Sequence, residues 1–113
     1  MEHTVSLKNN YDFRRMYAKG ESAAAPRLVL YCRKNRGGRN RLGLTVGTKV
    51  GKAVVRNRIR RRLREIYRLN EGSLLHGYDI VIVARGRAKD APYHVLEADF
   101  LRLAERLGLS EKG

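Results

Sequence analysis

The stretch AVVRNRIRRRLREIYRL, residues 53–69, decides how the rest of the chain is arranged. Val55, Ile59, Leu63, Ile66 and Tyr67 recur at helical spacing and fall within one arc at 100° per residue. Seven arginines, Arg56, Arg58, Arg60, Arg61, Arg62, Arg64 and Arg68, crowd the rest of the circumference. The spacing predicts a helix from Ala53 to about Leu69 with one apolar face to bury.

Working outward, YDIVIVA at 78–84 is a nearly unbroken β-branched run, the pattern of a strand covered on both faces, with the turn supplied by HGYD. It belongs at the centre of a sheet. Upstream, PRLVLYCRKN alternates Leu28, Leu30 and Cys32 against Val29 and Tyr31. After the turn-like RGGRN, RLGLTVG repeats the period with Leu42, Leu44 and Val46. These two runs are expected to pair as an antiparallel hairpin.

Asn9 and Asn10 can cap a short first helix carrying Phe13, Met16 and Tyr17 at i, i+3 and i+4, with Gly20 as its stop. Pro92 suits the first turn of a last helix whose Leu96, Phe100, Leu103 and Leu107 share one face, ended by Gly108. The expected order is α-β-β-α-β-α, with an extra short strand near Ser22 to Ala25. No repeat or linker interrupts residues 1–113, so the chain reads as a single α+β domain, free to fray only at its ends.

Twenty-five Lys and Arg against 11 Asp and Glu give a formal charge of +14, while 42% apolar content still supports a core. The excess charge therefore lies on a folded surface and attracts polyanions, because each phosphate neutralised releases a counterion. No run of about 18 apolar residues and no secretory apolar segment occurs, which points to a cytoplasmic protein. Cys32 is the only cysteine, excluding an internal disulfide, and its place in LVLYC reads as a packed strand position.

Lys49, Lys52 and the seven arginines surround one acid, Glu65. Like charges at i and i+4, such as Arg56 with Arg60, Arg58 with Arg62 and Arg60 with Arg64, each cost a helix roughly 0.2–0.5 kcal/mol. Stability alone does not select them. Asn57 sits amid Arg60, Arg61 and Arg64 on the helical wheel, and guanidinium forks grip phosphate oxygens bidentately. The helix reads as an RNA-docking surface. A solvated face would carry interspersed acids, and a membrane-surface helix would need the apolar arc that the core already claims.

Phe13 and Tyr17, an aromatic pair at i and i+4, read from the residues alone first as anchors of the first helix on the sheet, while Tyr31 lies on the strand face opposite Leu30 and Cys32 with Arg33 and Lys34 beside it. No HxxxH, Cys/His pair or evident carboxylate cluster marks a self-sufficient nuclease, since His3, His76 and His94 are scattered and Asp12, Asp79, Asp90 and Asp99 are spaced as capping or surface residues.

Lys49-Val50-Gly51 followed by Arg56-Asn57-Arg58-Ile59-Arg60-Arg61 resembles the ribonuclease P protein family, whose hallmark is an Arg-Asn-Arg helix after a Lys-Val/Ile-Gly segment. The resemblance continues through Asp12-Phe13, Tyr17 and Gly20, LVLY at 28–31, RLGLTV at 41–46 and YDIVIVAR at 78–85, and so covers nearly the whole chain. Lys52 departs from the family's usual asparagine, and Met16-Tyr17 from a frequent valine and phenylalanine.

The resemblance implies a small central sheet packed with helices, an α/β sandwich of the ribosomal protein S5 domain 2-like kind, with a left-handed βαβ crossover through the arginine helix. It implies that Lys49, Lys52, Arg56, Asn57, Arg58, Arg60, Arg61 and Arg64 dock on ribonuclease P RNA. Phe13, Tyr17, Tyr31 and Arg33 would hold the 5′ leader of precursor tRNA. Magnesium used by the RNA would perform the cleavage, with no metal bound tightly by the protein and no obligate protein or membrane partner. Two other readings of the same charge are a structural RNA binder of ribosomal-protein type and a duplex DNA binder whose arginines enter the major groove.

Overall fold

In a computed structural model, residues 3–110 are described. The chain runs β1 (Thr4–Ser6), α1 (Asn10–Lys19), β2 (Glu21–Ala24), β3 (Leu28–Lys34), β4 (Asn40–Val46), α2 (Ala53–Asn70), β5 (Tyr78–Ala84) and α3 (Tyr93–Arg106), with 3-10 turns at Thr48–Val50, Glu71–Ser73 and Gly86–Asp90. Asn9 caps α1 by accepting from the Tyr11 N–H at 2.8 Å. Gly108 ends the α3 segment at a φ of 73°, the left-handed conformation glycine tolerates. None of the described helices is long and apolar enough to cross a membrane.

The strands form one sheet in the order β1-β4-β5-β3-β2. As its apolar run requires, β5 is central, parallel to β4 and antiparallel to β3. The expected β3–β4 hairpin does not form. Both strands have the right alternation, but each pairs with β5, which is apolar on both faces and gains more from the middle position than either half-polar strand. The link from β4 to β5 is therefore a parallel crossover through α2. The anticipated short strand appears as β2 on one edge. The sequence reading omitted β1, three residues at the other edge whose pattern is too short and polar to read.

Side-chain alternation divides the sheet into two faces. Leu28, Leu30, Cys32, Leu42, Ile80 and Ile82 meet α2 and α3 in the main core. The opposite face carries only α1, whose buried Met16 packs on Leu7 and Val81, with Phe13, Tyr31 and Val83 partly covered beside them. Burial of Ile59, Leu63, Ile66 and Tyr67 stabilises α2 by roughly 1.5–3 kcal/mol per side chain, which outweighs arginine repulsion of a few tenths per pair. The Tyr67 hydroxyl also meets Thr4 at 2.8 Å and accepts from the Asn40 amide at 3.1 Å, fixing α2 against β1 and β4.

Candidate nucleic-acid interface

α2 presents its basic residues in three groups. Asn57, Arg61 and Arg64 are exposed, and so are Lys49 and Lys52 on the approach to the helix. Arg56, Arg58 and Arg60 are half-buried and held by the protein itself. The Arg56 Nε donates to the Gly51 carbonyl at 3.1 Å, the Arg58 Nη2 to the Lys89 carbonyl at 3.4 Å, and the Arg60 Nη1 to the Asn57 Oδ1 at 2.9 Å. Arg62 and Arg68 are otherwise engaged. Arg62 reaches the Ala91 carbonyl at 3.4 Å, and Arg68 pairs with Glu65 at 2.8 Å, which lowers the Glu65 pKa through that hydrogen bond first.

The start of α2 carries no compensation for this charge. Lys52 occupies the N-cap without a side-chain hydrogen bond, and the first turn contains no acid. The free N–H groups of the helix end and the lysine thus add the same sign of potential. The turn at Thr48–Val50 also packs against the turn at Gly86–Asp90, so that the segment carrying Lys49 adjoins the one carrying the exposed Arg87 and Lys89. The sequence reading missed this addition, because the two turns lie far apart in the chain and neither has a periodic signature.

On the α1 face the predicted aromatic residues come together. The Tyr17 ring meets Tyr31 edge-on at 5.1 Å between centroids and Phe13 at 6.5 Å, and the Tyr17 hydroxyl lies 2.7 Å from the Thr45 Oγ1. Tyr17 remains 40% exposed, so the group is both an anchor for α1 and an accessible stacking surface. Gly43 makes room for it. A Cβ there would lie 2.6 Å from the Phe13 Cζ, so only glycine lets the ring rest on the sheet. Arg33 lies on the same face as Tyr31, two residues along β3 and opposite Asp79.

Two grooves meet at the Phe13 ring; the first also touches Tyr17, and neither is lined by Tyr31 or Arg33. One, of about 510 Å³, is bounded by Phe13, Arg14, Tyr17, Thr45 and Arg60. The other, of about 280 Å³, runs past Lys8, Phe13, Leu44, Arg60 and Arg64. Arg60 thus belongs to both the arginine helix and the aromatic cleft, so the two predicted surfaces are continuous.

The remaining candidates for chemistry are inert. Cys32 is buried, and that burial, reinforced by Glu21, pushes its thiol up to about 11. Among the described residues no three His, Cys, Asp or Glu side chains converge as a metal site would require.

An arginine-faced helix continuous with an aromatic cleft on a small α+β scaffold defines a basic RNA-binding protein. A family model described as Ribonuclease P matches residues 1–108, and the chain belongs to the ribonuclease P protein family, protein components of a tRNA-processing ribonucleoprotein. It is 44% identical over 112 residues to the ribonuclease P protein component of Natranaerobius thermophilus, covering 99% of this chain and 97% of that one. The corresponding protein of Clostridioides difficile strain 630 is 43% identical over 108 residues, with 95% of each chain covered. Among solved structures, the RNase P protein of Staphylococcus aureus superposes with a TM-score of 0.84 at 33% identity, covering 93% of this chain and 96% of that one. That of Thermotoga maritima gives 0.82 at 32%, covering 89% and 96%.

Proposed function

We propose that the chain docks on the catalytic RNA of ribonuclease P through the outer side of α2 and its approach. In this role Asn57, Arg61, Arg64, Lys49 and Lys52 contact phosphates directly, while Arg56, Arg58 and Arg60 are held in place by the helix and its neighbours. The cleft formed by Phe13, Tyr17 and Tyr31, with Arg33 beyond, holds the single-stranded 5′ leader of precursor tRNA in the cytoplasm. The observation that carries this reading is the sharing of Arg60 between the docking helix and the aromatic cleft. One RNA-bound protein can thereby hold a second RNA strand beside the first.

The protein's contribution is to bind and position. Rings stack on any base, so leaders of differing sequence are accepted and recognition of precursors broadens. Mature tRNA lacks this segment and gains nothing from the cleft. The +14 charge screens repulsion between the two RNAs, work that magnesium would otherwise do alone. Bond cleavage is assigned to the RNA and its magnesium ions, with the protein holding no metal of its own.

Precursor-tRNA cleavage at low magnesium tests this, with the protein alone, a bacterial ribonuclease P RNA alone, and the two mixed. Cutting at the mature 5′ end by the mixture only is the expected result. A mixture no better than RNA alone would contradict the proposal and favour a purely structural RNA binder.

A further inference from the structure

On the layer of α2 and α3, a second group of arginines stands at the far edge of the sheet, around the turn between β2 and β3. Arg85, at the end of β5, donates its N–H to the Arg27 carbonyl at 2.9 Å and its Nη1 to the Ala25 carbonyl at 3.1 Å. Arg27, in the turn itself, donates from Nη1 to the Asp99 Oδ2 of α3 at 3.3 Å. Arg102, at i+3 from Asp99, lies 3.6 Å from its other oxygen. Arg106, in the last turn of α3, donates from Nη1 to the Ala24 carbonyl at 3.3 Å. Three chain segments thus bring four guanidinium groups to one corner.

One acid, Asp99, is shared among them, and it is buried beneath α3 with 1% of its surface exposed. It is committed to Arg27 and Arg102. Among the described residues no ion pair engages Arg85 or Arg106, and Glu105, beside Arg106 on α3, pairs with neither. Arg85, Arg102 and Arg106 are exposed. A last-turn arginine that served only the helix dipole would fold back on the carbonyls of α3, whereas Arg106 reaches across to β2. Each fork is held by one arm and keeps further N–H donors that the protein does not claim. A guanidinium already held in this way loses less freedom when it grips a phosphate.

The place of the group in the fold selects its partner. α3 packs with α2 in the main core, on the face of the sheet opposite α1 and the aromatic rings. A strand held in the cleft is therefore on the other side of the sheet. An RNA seated on α2 has a direct path, because the turn at Thr48–Val50 adjoins the turn at Gly86–Asp90, which follows Arg85 in the chain. Positive charge runs along that path from Lys49 through Arg87 and Arg85 to the corner.

We propose that Arg27, Arg85, Arg102 and Arg106 form a second docking station for the phosphate backbone of the catalytic RNA. The inference rests on the assignment of α2 to that RNA. Once α2 is seated, the second contact forms within the complex and adds affinity without a second encounter. Two separated contacts also stop the protein from turning about α2, which fixes where the leader cleft points.

The test is the affinity of a bacterial ribonuclease P RNA for the full-length protein across a series of salt concentrations. Wild type is compared with Arg102→Gln/Arg106→Gln, with Arg61→Ala, and with Arg36→Gln/Arg39→Gln, a charge-matched control at the opposite end of β3. The expected result is a loss of about fivefold or more in Arg102→Gln/Arg106→Gln beyond the control, with a salt slope shallower by about 1–2 and an unchanged Tm. If that variant only matches the control while Arg61→Ala loses affinity, the second station is overturned and α2 docking stands. If its loss falls on tRNA affinity of the holoenzyme and not on assembly with the catalytic RNA, the arginines meet the substrate and the proposal is again overturned. If Arg61→Ala keeps wild-type affinity, the α2 assignment falls and the station with it. Should the double variant lower Tm, Arg102→Gln alone decides, since it leaves the Arg27–Asp99 and Arg106–Ala24 contacts in place. A loss of about twofold beyond a single Arg36→Gln control supports the station, and no loss overturns it.

Discussion

Gly43→Ala should unseat the Phe13 ring from the aromatic cleft. The added Cβ would lie 2.6 Å from the Phe13 Cζ, 2.7 Å from Cε1 and 3.3 Å from the Leu7 Cδ2. Carbon contacts settle near about 3.5–4.0 Å, so the ring must retreat by roughly 1 Å. Overpacking of this kind costs about 1–3 kcal/mol. Alanine also restricts the unfolded chain, which offsets the loss by about 0.5–1 kcal/mol. The mid-range expectation is a net loss of about 1 kcal/mol, or a fall in Tm of roughly 4 °C for a chain of this size.

Because Phe13 packs on Tyr17, the displacement should also reduce holoenzyme preference for precursor over mature tRNA. The assay is thermal unfolding of the free protein followed by paired binding measurements. Gly43→Ala combined with Phe13→Leu should recover part of the stability, a coupling on the order of 1 kcal/mol, without restoring leader preference. An unchanged Tm and unchanged preference in Gly43→Ala would refute the seating of Phe13 on Gly43.

Lys52→Asn should raise stability by about 1 kcal/mol in urea unfolding, since asparagine can cap α2 where lysine does not, and should weaken catalytic-RNA binding with a shallower salt dependence. A destabilised variant would contradict the capping geometry. Arg61→Ala should lower catalytic-RNA affinity at unchanged Tm, because the side chain is exposed; Arg58→Ala should lower both, because its fork reaches the Lys89 carbonyl and its Nε is enclosed. Equal Tm losses in the two would mean that the helix faces are misassigned. Asp79 accepts from the Arg41 Nε at 2.8 Å and Nη2 at 2.6 Å and from the Asn35 amide at 2.9 Å, so Asp79→Asn should destabilise the fold at neutral pH by about 1–3 kcal/mol. Since the folded Asp79 pKa is depressed, its contribution is present above the unfolded carboxylate value and is lost as pH falls through the folded one. The stability gap between wild type and variant should therefore hold at neutral pH and close below about pH 4. A gap that persists undiminished to the acid limit would remove the ion pair from the account.

What the sequence disclosed were features whose cause is local. Val55, Ile59, Leu63, Ile66 and Tyr67 announce α2 because each must bury, and four of the five are fully buried, with Val55 at the rim. The β-branched run at 78–84 announced a central strand for the same reason. Strand partners were not legible. Alternation in β3 and β4 specifies which side chains face the core but not which strand lies alongside, and the crossover through α2 places β5 between them. The site divides in the same way. Arginine spacing revealed a basic helix, but not that Arg62 and Arg68 are occupied within the fold. Phe13, Tyr17 and Tyr31 were recognisable by type, whereas the Gly43 seat depends on a contact 30 residues distant across the sheet. The cations Arg27, Arg85, Arg102 and Arg106 look like scattered surface charge until the fold gathers them.

The most direct test of the central claim is the affinity of the reconstituted holoenzyme for precursor and mature tRNA, with wild-type protein and with Tyr31→Ala. Weaker precursor binding with unaltered mature tRNA binding is the outcome the account predicts, because only the precursor places a strand on the Tyr17 and Tyr31 rings. Equal losses for both substrates, or no loss for either, would contradict it.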